Sequence, residues 1–184
     1  VFPPVMYRDP NTLELSGFAF DYMNKVAERA GLKVEWTTEV TWANWTEELR
    51  AGRYDVACAP QWPDMNQTRV VTFSEPLFFS GLYPMVRIDN EKLKTADLAR
   101  LNQKDVTILT QEGNYTNALA HELFPEATFY TLSSSTNGGE YYQNIIANKA
   151  DVTLTDENAK FQFEKDNGKI FKFIDEKHPV KLQS

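Results

Sequence analysis

Two residues of opposite charge, Arg69 and Asp156, stand a short way past two near-copies of one phrase. Ala51-Gly52-Arg53-Tyr54-Asp55-Val56-Ala57 and Ala147-Asn148-Lys149-Ala150-Asp151-Val152-Thr153 run in the same order. Each has a residue that tolerates the left-handed conformation, then a basic residue, an Asp and a strand-like run. The planar fork of an Arg suits a carboxylate, to which it gives two parallel bonds. An Asp carboxylate can meet an ammonium group, or it can cap the helix that follows it. On spacing alone, Arg69 reads as a surface residue opening a strand and Asp156 as an N-cap. After the first phrase, Gln61-Trp62-Pro63-Asp64 places an amide, an aromatic and an acid in one polar loop.

Positioning such residues needs a scaffold, and the twin phrases indicate one. Asp55 and Asp151 lie about 100 positions apart, the size of a small domain, which suggests two similar α/β lobes. In open α/β sheets, ligands sit beyond the carboxyl ends of strands. Residues 60–64 and 155–158 are therefore expected on opposite walls of one cleft. The opening residues, rich in Pro, Asp and Asn, read as a loop. Gly17 to Ala30 has helical spacing and stops at Gly31, and Leu32 to Trp36 alternates like a half-buried strand. A short helix with Trp45 and Leu49 ends at Gly52, followed by a strand from Tyr54 to Cys58 and an extended stretch from Val70 to Phe73. The apolar run Leu77 to Val86, broken by Gly81 and Pro84, suits a crossing between lobes. Alternation then restarts: helix Thr95 to Leu101, strand Val106 to Leu109, turn 112–114, helix Tyr115 to Leu123 and strand Ala127 to Thr131. Helix Glu140 to Asn148, strand Asp151 to Thr155, helix Asn158 to Lys165 and strand Ile170 to Ile174 complete it. Strands separated by helices argue for mainly parallel sheets with covered faces. The tail from Asp175 reads as a possible second interlobe strand.

Composition narrows the partners. The 184 residues carry 19 Lys and Arg against 26 acidic residues, a net charge of −7, with no basic run to suit nucleic acid. A hydrophobic content of 42% belongs to a folded chain, and no apolar stretch is long enough to span a bilayer. The single cysteine, Cys58, reads as a small apolar filler in a buried strand, and no Cys or His spacing suggests a metal site or cofactor. Asn44, Asn66 and Asn114 open Asn-x-Thr sequons, which arise readily by chance. The start at Val1, without an initiator Met, looks like a cut sequence.

The order of several phrases is similar to that of bacterial extracellular solute-binding proteins of family 3, the periplasmic receptors for polar amino acids in ABC transport. The phrases are Phe2-Pro3-Pro4, Tyr7-Arg8-Asp9-Pro10, Gly17-Phe18-Ala19-Phe20-Asp21 and Gly52-Arg53-Tyr54-Asp55. Arg69 with Phe73-Ser74-Glu75-Pro76, Gln111-Glu112-Gly113-Asn114 and Asp151 to Asp156 continue the pattern over essentially the whole chain. The resemblance implies a two-lobe α/β periplasmic-binding fold of type II. It places an incomplete lobe 1 at residues 1–85, lobe 2 at 86–175 and a second interlobe segment at 176–184. A family member normally has a strand ahead of the Phe2 region and further chain after residue 184.

The same resemblance implies roles. Arg69 falls where the family binds a carboxylate and Asp156 where it binds an ammonium group. Asn114 replaces the Thr of the family's turn, and Phe2 and Trp62 fall where aromatics cover the ligand. Asp64, with Gln61 in the same loop, stands where amino-acid receptors offer hydroxyls, so a cationic amino acid or an amine is a candidate ligand. The implied protein is an extracytoplasmic, monomeric receptor without cofactor that delivers an amino acid to a membrane permease. A sensor module on the same fold is one alternative. A cyclohexadienyl dehydratase is another, with Asp64, Glu112 or Glu157 as its general acid. Neither histidine suggests a nucleophile–base pair, since both His121 and His178 read as solvated.

Overall fold

A computed structural model describes residues 5–9, 11–63, 67–94 and 97–183. The chain divides into two units, Val1–Leu77 and Phe78–Ser184.

In the first unit, two short strands pair antiparallel, β1 (Tyr7–Arg8) with β2 (Leu15–Ser16), where the sequence suggested only a loop. Helix α1 (Phe18–Ala30) starts at Gly17 and ends at Gly31, which turns left-handed at φ 69°. The Leu32 amide then reaches back to the Ala27 carbonyl at 2.8 Å, closing the helix end. Helix α2 (Trp45–Arg50) and a single 3-10 turn (Gln67–Arg69) follow. A small core gathers Val5, Met6 and Ala19, with Leu15, Phe20, Trp36 and Cys58 against it. Phe20 and Trp36 stack with ring centres 5.0 Å apart. Cys58 thus fills apolar space, and burial raises its thiol pKa.

The stretches 32–36 and 54–58 were expected as strands and 70–73 as extended chain, but none belongs to a ladder among the described residues. Trp36 and Cys58 nevertheless pack against one core, but Leu32 and Val56 are exposed, so the expected burial is present only in part and the pairing is not. A strand exists only beside another strand, and a sequence pattern alone does not supply the neighbour.

Gly17 has a requirement of its own. Its φ is 118°, and a Cβ there would stand 2.5 Å from the Val5 carbonyl oxygen, the same oxygen that accepts from the Ala19 amide. Gly17→Ala is expected to lower the stability of this unit by about 1–3 kcal/mol, measured by urea unfolding.

The second unit is built on a six-stranded sheet in the order β5-β4-β6-β3-β7, with β8 also on β3. These strands are β3 (Ser80–Arg87), β4 (Thr107–Gln111), β5 (Thr128–Leu132), β6 (Val152–Thr155), β7 (Phe171–Phe173) and β8 (Lys181–Gln183). β4 runs parallel to both β5 and β6, while β3 is antiparallel to β6, β7 and β8. Helices α3 (Leu98–Leu101), α4 (Tyr115–Leu123), α5 (Gly138–Ile146) and α6 (Glu157–Asn167) alternate with the strands. Met85, Leu109, Tyr142, Ile145, Ala150 and Phe171 form one buried cluster. Ile108 and Thr110, which flank Leu109, are buried on the opposite face of β4.

The run with Gly81 and Pro84, expected as an interrupted crossing, is the continuous strand β3. Pro84 donates no ladder bond, and its carbonyl accepts from the Ile174 amide at 2.8 Å. Along that flank β7 covers Met85 to Arg87 and β8 covers Ser80 to Leu82. The missing N–H therefore faces the gap where one partner strand has ended and the next has not begun. Gly81 lets the Tyr83 ring lie close, since a Cβ there would come within 2.7 Å of the Tyr83 hydroxyl.

The twin phrases close their helices alike. Arg53 N bonds Glu48 O at 3.1 Å and Lys149 N bonds Asn144 O at 3.0 Å, around Gly52 at φ 69° and Asn148 at φ 56°. Their Asp residues differ. Asp55 is exposed, whereas Asp151 Oδ2 accepts from the Thr107 amide at 2.8 Å and pairs with Lys92 Nζ at 2.7 Å. Asp151→Ala removes that acceptor between β4 and β6. A loss of about 1–3 kcal/mol is expected, read from denaturant midpoints.

Candidate functional site

The parallel trio β5-β4-β6 ends on one edge of the sheet, and each strand there hands over to a helix. Those helices, α4, α5 and α6, begin at Asn114, Asn137 and Asp156, each in extended conformation, and each side chain accepts an amide hydrogen bond from its own first turn. A helix start leaves amide donors unpaired within the helix, so short polar acceptors are favoured there.

Asp156 follows the last residue of β6. Its Oδ1 accepts from the Ala159 amide at 2.9 Å. Burial pushes its carboxyl above the usual range, against the lowering effect of the Ala159 and Asn158 amides. Beneath it, the Tyr142 hydroxyl meets Thr155 Oγ1 at 2.9 Å. Tyr142 is itself buried, which raises its pKa, and the carboxylate of Asp156 adds to that shift. Glu157 is exposed; burial raises the pKa of the Tyr83 hydroxyl, and the negative charge of Glu157 adds to that shift.

Asn114 follows Gly113, which takes φ 74° to turn the chain off β4. The Asn114 amide is held by Gln111 O at 3.2 Å. Its Oδ1 accepts from both the amide and the hydroxyl of Thr116, each at 3.0 Å, so the sequon's Asn and Thr are joined in the cap. With Oδ1 so engaged, the side-chain Nδ2 is the group that can offer hydrogens to an anion.

In the first unit, Gln61 and Trp62 are half-buried, and Arg69 ends the 3-10 turn with its side chain exposed. The turn is held by the Val70 and Val71 amides on Gln67 O at 2.9 and 3.0 Å. Phe2 and Asp64 lie outside the described residues. Asn114 and Asp156 are thus placed at one sheet edge, and Arg69 with Gln61 and Trp62 in the other unit. Asn137 was not singled out from the sequence, although Asn137-Gly138-Gly139-Glu140 has the spacing of a capped helix start. Among the other acids weighed for catalysis, Glu112 is exposed beside Gly113. His121 is exposed and stacks on Phe129 with ring centres 3.6 Å apart, and His178 is exposed beside Asp175. Among the described residues no group of three or more His, Cys, Asp or Glu side chains could hold a metal ion, and no helix is long and apolar enough to cross a membrane.

The model of the bacterial extracellular solute-binding proteins, family 3, matches residues 1–177. No curated protein matches the chain. Among solved structures, an ancestral amino acid-binding protein, a precursor of cyclohexadienyl dehydratase, is similar at 25% identity with a TM-score of 0.80, covering 100% of this chain and 74% of that one. A putative binding component of an ABC transporter from Wolinella succinogenes, complexed with lysine, shares 20% identity at TM-score 0.82, covering 99% of this chain and 75% of its own. An ancestral arginine-binding protein bound to arginine shares 22% identity at TM-score 0.79, covering 99% and 79%.

Proposed function

Because the chain belongs to the bacterial extracellular solute-binding proteins of family 3, we propose that it binds a free amino acid outside the cytoplasm, as a monomer, and delivers it to the permease of an ABC transporter. The observation that carries this reading is Asp156: a half-buried carboxylate, held by a helix cap, at the carboxyl end of a parallel strand. An α-ammonium group removed from water needs such a partner, since an unpaired buried charge costs several kcal/mol. Asn114, one strand away, offers hydrogen-bond donors to the ligand's carboxylate, and Arg69 of the first unit offers a planar fork to the same group. Trp62 and Phe2 are the aromatics proposed to cover the ligand side chain, and Gln61 and Asp64 are the polar residues proposed to contact it. Ligand-driven closure of two lobes requires contacts made better in the closed form, which one charged residue from each unit supplies.

A cationic amino acid is the first ligand to test. The similar binding proteins hold lysine and arginine, and this chain presents an acid, Asp64, in the Trp62 loop. The experiment is a thermal-shift screen of the complete protein with arginine, lysine, glutamine, simple amines and prephenate-like acids. A ligand at about 100 times its Kd stabilises by roughly 2.7 kcal/mol. Stabilisation by an amino acid that is recovered unchanged supports the reading. Turnover of a stabilising acid would place the protein instead with the dehydratases, and stabilisation by none of the amino acids would refute it.

A further inference from the structure

Gln111, the last residue of β4, is a polar side chain at only 5% exposure. Its Nε2 faces three backbone carbonyls of the loop after β5: Thr136 O at 2.7 Å, Ser133 O at 3.1 Å and Ser134 O at 3.4 Å. A primary amide is the uncharged side-chain group with two N–H bonds on one atom, which suits several converging acceptors. The main chain of Gln111 works on the other side: its carbonyl accepts from the Asn114 amide at 3.2 Å, and the neighbouring Glu112 amide donates to Leu132 O at 3.0 Å. One residue therefore ties the turn that carries Asn114 to the loop that leads into the Asn137 cap. The loop's own closure is slight, a Thr136 N to Ser133 O bond at 3.0 Å and a Ser133–Ser135 hydroxyl contact at 3.1 Å. A Leu at 111 would leave the three carbonyls without this donor, and a carboxylate would set negative charge against their dipoles.

We propose that Gln111 is a positioning residue for ligand binding. Its side-chain amide locks the 112–114 turn and the 133–136 loop into one rigid edge, and amino-acid affinity depends on that lock. The affinity part of the inference rests on the amino-acid-binding reading above; the locking part does not.

The test compares wild type, Gln111→Leu and Gln111→Glu in the complete protein. Amide hydrogen exchange is measured without ligand. Titration calorimetry follows with whichever of arginine, lysine or glutamine shifts the wild-type Tm. In Gln111→Leu, exchange at 112–114 and at 133–136 should accelerate together by about tenfold or more, and Kd should rise by at least a similar factor. In Gln111→Glu, the ratio of variant to wild-type Kd should fall as the solution is acidified, because a protonated carboxyl again donates to the carbonyls. A purely structural role would give a ratio independent of pH. Exchange that is unchanged, or raised in one segment alone, overturns the lock. Raised exchange with a wild-type Kd overturns its link to affinity. Should the Leu variant fail to fold, the pH profile of the Glu variant decides. Should wild type bind no amino acid, the functional reading fails, and the exchange data still judge the lock.

Discussion

Arg69→Ala is expected to weaken amino-acid binding about a hundredfold or more while leaving the Tm of the ligand-free protein nearly unchanged. The two halves of this result have separate causes. Arg69 is exposed at the end of a 3-10 turn whose backbone bonds run from Val70 and Val71 to Gln67 O. Truncating an exposed side chain outside such bonds ordinarily moves stability by about 0.5 kcal/mol or less. On the proposed reading the guanidinium would partner a desolvated carboxylate in the bound state, and removing one member of such a pair costs about 2–5 kcal/mol. Lysine in its place restores charge without the fork and recovers only part of the affinity. Calorimetry on Arg69→Ala and Arg69→Lys, with melting curves of both, reads the two effects separately. An unchanged Kd in Arg69→Ala would remove the carboxylate role.

Asp156→Asn is expected to separate binding from folding in the opposite sense. Asn caps a helix as well as Asp does, so the bond to the Ala159 amide persists. Because burial raises the folded-state pKa of Asp156, its contribution to ligand-free stability is full below the unfolded value of about 3.9 and is lost as pH rises through the raised folded value. Ionisation of the side chain thus disfavours the fold, and the uncharged Asn variant should melt no lower than wild type, or higher. Its affinity for the amino acid should fall by more than about thirtyfold, because an ammonium group loses its counter-charge. Wild-type affinity should in turn decline as the medium is acidified, beginning above the range where exposed carboxyls titrate. Melting curves and calorimetry between about pH 4 and pH 7 test all three statements. A variant that melts several degrees lower yet binds normally would reduce Asp156 to a cap.

The second unit was legible because its local signals agree with its tertiary structure. Tyr115 to Leu123 forms a helix as its spacing predicts, and Asn114 after Gly113 starts it. The repeat at Asn148 predicted a left-handed helix end, and the backbone adopts one. Legibility failed where the outcome depended on neighbours. Pro84 and Gly81 look like breakers in isolation, but the flank facing the Pro84 nitrogen happens to fall between β7 and β8. Leu32 to Trp36 alternates and Tyr54 to Cys58 reads as a buried run, yet only Trp36 and Cys58 pack against the core. Leu32 and Val56 are exposed, because sequence pattern says nothing of which strand lies alongside. At the site, Asp156 and Asn114 are helix starts that any capping rule would find. Asn137 satisfies the same rule, yet nothing in its composition distinguishes it until β5 is seen beside β4. The acceptors gathered by Gln111 are invisible in sequence, because they are main-chain oxygens more than twenty residues away.

The capping of Asp156, Asn114 and Asn137 has a thermodynamic consequence. A side chain that is already hydrogen-bonded to its own helix has surrendered its rotational freedom during folding. Immobilising a mobile side chain at a binding surface costs about 0.5–1.5 kcal/mol each time. At this edge that entropy is lost before any ligand arrives, so on the proposed reading an amino acid would meet acceptors and donors already set in orientation. Binding there should carry a small ordering entropy from the second unit, and most of the entropy change on association should come from water release and from the first unit, where Arg69 is exposed.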